Sequence, residues 1–184
     1  SALKNIELVV AETWEEFVSA KAYFTDKAVK YGTTDRREDA PWMVVDFSDV
    51  TWDRVQNYFT EQVFGQSSDE YFLYARKEIA SKTARLQPLD GWTDWQVINR
   101  LFQAQWTKLT HSQYFNLFYT AKADVVEAGG SRENPSMYRA VRAQPAGEKR
   151  QGDRAHTVLY FQGDRDGWYF STVKDREMIR VDRL

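Results

Sequence analysis

Few residues in this chain are equipped for chemistry. It has two histidines, His111 and His156, and no cysteine. A transition-metal site draws two or three such side chains together. Neither an H-x-x-x-H nor an H-x-H spacing occurs, so the sequence implies no metal and no cofactor. Without cysteine there is no disulfide, thiol catalysis or thiolate ligand. Acid–base work is left to Asp46 and His111. Asp46 sits in an apolar run, a setting that can suit a carboxyl to proton transfer, and Asp49 just after it is equally a helix cap. His111 follows the end of a helical pattern, where the helix dipole favours a cationic imidazole. No serine lies in a G-x-S-x-G elbow. Gly129-Gly130 lacks the later Gly and Lys of a phosphate loop and reads as a turn. The pattern favours a role without catalysis.

Binding chemistry is better represented. Aromatic residues are 15% of the chain, as 7 Trp, 10 Tyr and 11 Phe. Rings of this size populate both cores and contact surfaces. Trp95, Trp106, Tyr114, Phe118 and Tyr160 are the candidates to line a small-molecule pocket or a protein interface. A second group is basic: Arg139, Arg142, Lys149, Arg150 and Arg154, interleaved with Tyr138 and Tyr160, which is the kind of mixture that holds single-stranded nucleic acid. The net charge of −2, from 25 basic and 27 acidic residues, gives that reading no global support.

The elements that must position these side chains follow from periodicity and punctuation. Ile6 to Val10 (IELVV) is β-prone. Thr13 to Glu16 forms a capping box, in which the Thr hydroxyl and the Glu carboxylate each take a backbone N–H. Phe17, Phe24 and Tyr31 then mark one stripe of a helix of about five turns, which Gly32 should end. Trp42 to Phe47 reads as a buried strand, and Ser48 or Asp49 should cap a helix from Trp52 to Phe64, closed by Gly65. A second capping box at Ser67–Glu70 opens a helix from Ser68 to Leu86. A third at Thr93–Gln96 opens the plainest amphipathic helix of the chain, with Trp95, Ile98, Phe102, Trp106 and Leu109 on one face.

Beyond Thr110 the pattern turns to strands: 113–126, 137–143, 156–162 and 168–173, with a short edge strand at 178–181. Gly163 to Gly167 is a hairpin signal. Side chains alternate across a strand. Phe115, Leu117 and Tyr119 therefore share one face of the first strand, with Tyr114 and Phe118 on the other. Val158 and Tyr160 oppose Leu159 and Phe161 in the same way, so the sheet is apolar on both sides and needs two covers.

These readings combine into a single α+β domain over 1–184: an N-terminal strand-helix-strand and three further helices packed on a C-terminal antiparallel sheet of four or five strands. Over residues 52–182 this order of elements resembles the cone-shaped nuclear-transport-factor-2-like folds, which implies a pocket between helix and sheet. The expected function is binding or assembly through the aromatic sheet, with a protein partner or a second copy. A small hydrolase or lyase pocket beside helix 94–109 is the alternative, and a nucleic-acid surface on hairpin 138–160 the third reading. No run of about 18 apolar residues exists to span a membrane. The opening Ser1-Ala2-Leu3 carries no secretory pattern, and the cysteine-free composition fits the cytoplasm and equally a bacterial envelope.

Overall fold

In a computed structural model the described residues are 5–31, 39–80, 93–126, 138, 141–148 and 150–175. Mixed helix and strand, they divide into two compact units, Ser1–Tyr119 and Thr120–Leu184.

The first unit holds α1 (Trp14–Tyr31), β1 (Trp42–Val45), α2 (Ser48–Phe64), α3 (Ser68–Ala80), α4 (Thr93–Thr110) and β2 (Asn116–Tyr119). Two of the expected capping boxes form. Thr13 Oγ1 accepts from the Glu16 N–H at 3.2 Å, and the Glu16 carboxylate accepts from the N–H groups of Thr13 and Glu12. Ser67 and Glu70 make the same reciprocal pair at the head of α3. Gly65 ends α2 in the left-handed region at φ 67°, donating to the Glu61 carbonyl at 3.0 Å. Asn57 Oδ1 receives the Ser68 N–H at 2.8 Å and so pins the start of α3 to α2.

The start of α2 corrects the sequence reading. The helix begins at Ser48, four residues early, with Phe47 as its N-cap at φ 57° and no side-chain cap. Ser48 and Asp49 are therefore buried in its first turn. A carboxylate in that first turn is favoured by the helix dipole.

α4 behaves as its stripe requires. Ile98, Phe102, Trp106 and Leu109 are fully buried. Phe102 meets Trp14 of α1, Trp52 of α2 and its neighbour Trp106. Trp106 meets Phe17 at 6.3 Å between centroids and Tyr119 of β2 at 5.1 Å. Phe115 is buried, and Leu117 and Tyr119 pack against the same core, as the alternation of that strand demands.

The strands depart further. β2 pairs in parallel with β1, Val44 opposite Phe118 and Val45 opposite Tyr119. A parallel pair needs a long crossover, here supplied by α2 to α4. β1 is half-buried rather than buried: Met43 and Val45 face the core while Trp42 and Val44 are exposed. Residues 6–10, expected as a strand, have no strand partner among the described residues and are exposed.

In the second unit β3 (Ala123–Val125) pairs antiparallel with β4 (Ala143–Pro145). The expected continuous strand 113–126 is thus two strands, broken at 120–122 and bonded to different partners. The expected strand 137–143 is corrected as well: Tyr138 is helical and 141–142 form a turn. One helical turn, α5 (Gln151–Arg154), precedes β5 (Thr157–Gly163) and β6 (Trp168–Asp175), which form the expected antiparallel hairpin. Asp164 makes its turn: the N–H bonds the Gly167 carbonyl at 3.0 Å, while Oδ1 accepts from Asp166 and Gly167. Lys174 donates to the carbonyls of Gly152 and Asp153, tying the hairpin to α5.

The described strands therefore make three two-stranded ladders in place of one C-terminal sheet of four or five strands. Gly32, the C-terminal part of the helix expected to reach Leu86, and the strand 178–181 lie outside the described residues.

Candidate functional site

Asp46 occupies the bend after β1 and His111 follows the last residue of α4; both are exposed. His111 Nδ1 lies 3.0 Å from the Thr107 carbonyl and 3.2 Å from Thr110 Oγ1, contacts that tether the ring to its own helix end. His156 is exposed before β5. Among the described residues no three His, Cys, Asp or Glu side chains are grouped to hold a metal, and no helix is long and apolar enough to cross a membrane.

The five aromatic candidates separate. Trp95 stacks on Trp52 at 6.2 Å, and Trp106 is buried in the ring cluster of the first unit. Tyr114 packs beside the same cluster. Phe118 points the other way, exposed on the outer face of β1–β2 with Trp42 and Val44. Tyr160 belongs to the second unit and is half-buried. Trp95, Trp106 and Tyr114 all pack with the core of the first unit. A shallow groove of about 430 Å³ lies along α3 instead, lined by Gln66, Glu70, Leu73, Tyr74 and Lys77.

The basic candidates also divide. Arg142 and Arg150 are exposed, while Arg154 turns inward to Glu148 at 3.9 Å. Arg139 and Lys149 lie outside the described residues. Glu148 and Gln151 are buried there with Tyr138. Burial, with the Asp153 charge second, pushes the Tyr138 phenol up to about 12. The phenol is thus held neutral, which suits packing rather than proton transfer.

What the chain does present is one face of the β5–β6 hairpin. Leu159, Phe161 and Gly163 share it with Thr172, Phe170 and Trp168, their register partners. Phe161 and Phe170 lie 5.9 Å apart between centroids. Both rings are exposed, as is Leu159, and Trp168 is 86% exposed. The indole lies across Gly163, whose missing side chain leaves it room. Three aromatic rings and a leucine thus form an uncharged row on two paired strands. A hairpin this small is marginal alone, and a large exposed apolar row on one is characteristic of a contact surface.

Sequence reasoning named Tyr160 and missed this row. The signal was present in the alternation, since Leu159 and Phe161 oppose Tyr160. The fixed turn at 163–167 sets the register that places Trp168 and Phe170 opposite Gly163 and Phe161. Compared with models of known protein families, with curated proteins and with solved structures, the chain matches none.

Proposed function

We propose that this protein is a non-catalytic binding and assembly module that docks a second copy of itself through the outer face of the β5–β6 hairpin. The observation that carries the reading is Trp168, 86% exposed beside the Phe161–Phe170 pair. Burying a ring of this kind yields about 1.5–3 kcal/mol in transfer free energy, and Trp is a preferred anchor at interfaces. The row itself carries no charge, and a net charge of −2 sets up little repulsion between copies. The same face can meet its own copy about a twofold axis, the commonest symmetry of homo-oligomers.

Sedimentation across a dilution series tests this. The wild type should dimerise reversibly, and Trp168→Ala should weaken the dimer by about 2 kcal/mol or more, roughly thirtyfold in Kd. A strict monomer at several hundred micromolar overturns the reading. If the protein stays monomeric and, with a labelled single-stranded oligonucleotide added to the same runs, that oligonucleotide co-sediments with it, nucleic-acid stacking on these rings replaces the reading.

A further inference from the structure

The sequence IELVV, Ile6 to Val10, is where the structure leaves a strand without a sheet. The segment is an ordered approach to α1. Its far end enters the capping box, where the Glu12 N–H bonds the Glu16 carboxylate. Its middle is fastened by Glu7, whose carboxylate accepts from the Tyr23 hydroxyl at 2.8 Å and pairs with Lys27 of α1. The Lys27 ammonium and Tyr23 hydroxyl hold that carboxyl below its ordinary range, so it stays ionised at neutral pH.

Along Ile6 to Val10 the side-chain exposure alternates as in a strand. Ile6, Leu8 and Val10 are 68%, 84% and 73% exposed, while Val9 is 47% exposed and Glu7 is turned onto the helix. No backbone N–H or carbonyl of Ile6 to Val10 has a hydrogen-bond partner among the described residues. Proteins ordinarily blunt such an edge with charge. Here the only charge, Glu7, is neutralised by the chain's own Lys27.

We infer that Ile6–Val10 is an assembly strand that pairs antiparallel with the same segment of a second copy, about a twofold axis through Leu8. This rests on the reading of self-association but uses a surface other than the hairpin. In that register Leu8 of one copy faces Leu8 of the other, Ile6 faces Val10, and Glu7 faces Val9. No like charges meet, and the three exposed apolar side chains of each copy form one face of a two-stranded ribbon. Like charges directly opposite would destabilise such a ribbon, so this register suits the sequence. The segment is already held at two points, which removes much of the ordering cost that disordered strands meet on binding. The contact is small, and it belongs with weak interfaces.

The absence of native cysteine makes the test clean. Leu8→Cys supplies a single thiol that the twofold axis places opposite itself, at the roughly 4.5–5.5 Å Cα separation of antiparallel pairs, within disulfide reach. Val10→Cys supplies one that faces Ile6 and lies several residues from its own copy. Under mild oxidation Leu8→Cys should form covalent dimer at least about tenfold faster than Val10→Cys, because only position 8 meets the disulfide geometry. A second measurement needs no thiol. Ile6→Lys and Val10→Glu should each weaken self-association, and the double substitution should restore it by setting opposite charges face to face. Equal cross-linking at both positions, or no restoration, overturns the inference. If cross-linking fails while Trp168→Ala still weakens a wild-type dimer, only the strand contact is wrong. A wild type that never dimerises removes both.

Discussion

The indole of Trp168 covers Gly163: ring atoms Cζ3 and Cε3 lie 2.8 and 2.9 Å from where a glycine-to-alanine change would put its Cβ. The two residues are register partners across the hairpin, so the glycine is the floor on which the exposed indole rests. Gly163→Ala should lift the ring. Since the ring is in solvent and can swing aside, stability should change by no more than about 0.5 kcal/mol. Tryptophan emission and the strength of self-association should both shift. A changed melting temperature with unchanged association would mean that the ring is structural and not part of the contact.

Phe102 is the most demanding position of the first unit. It is fully buried, in ring contact with Trp14, Trp52 and Trp106. Phe102→Ala removes those contacts together and should cost roughly 3–5 kcal/mol. Thr107→Ala on the exposed side of α4 should stay within about 0.5 kcal/mol. Denaturant melts of the two variants decide it, and similar midpoints would mean that α4 does not anchor this core.

How much of this was legible depended on how far each signal reached along the chain. Thr13 with Glu16, Ser67 with Glu70, and Asp164 with Gly167 are local devices, and each formed as written. The α4 stripe was legible because helical periodicity alone selects its buried face. Pairing was not, because Val44 and Phe118 are joined only through three intervening helices and no local pattern encodes that partnership. Ile6–Val10 has strand composition, yet a strand needs a neighbour as well as a composition, and none of the described strands takes it. The entry to α2 was hidden for another reason. Phe47 adopts φ 57°, a conformation that sequence reading reserves for Gly or Asn.

The capping boxes are a separable contribution to stability. Thr13→Ala deletes the hydroxyl that receives the Glu16 N–H, and Ser67→Ala does the same at Glu70. Each should cost about 1 kcal/mol, and the two should add, since they serve different helices. Thermal melts of the single and double variants test this. A double variant no worse than either single would show that the two helix starts are not independent.

Tyr138 and Gly152 set the sharpest constraint in the second unit. A Cβ on Gly152 would stand 1.7 Å from the Tyr138 Oη and 3.1 Å from Cζ, and the phenol is buried with no hydrogen-bond partner for its hydroxyl. Gly152→Ala should therefore be destabilising by overpacking, about 1–3 kcal/mol or more. Tyr138→Phe alone should be close to neutral, because it removes a buried hydroxyl that makes no bond. The pair should couple strongly. With the oxygen gone the nearest atom is the ring carbon, so Gly152→Ala should be far milder in the Tyr138→Phe background. The pH dependence follows from the same burial. An unfolded tyrosine ionises near 10, whereas Tyr138 is held neutral up to about 12. Its contribution is fully present below pH 10 and is lost as pH rises through 12, because the unfolded chain releases its proton first. Wild type should lose stability over that window more steeply than Tyr138→Phe, read by denaturant melts alongside ultraviolet titration of the tyrosines. Equal slopes for the two chains, or an unchanged penalty for Gly152→Ala when the oxygen is absent, would show that the phenol is not packed against α5.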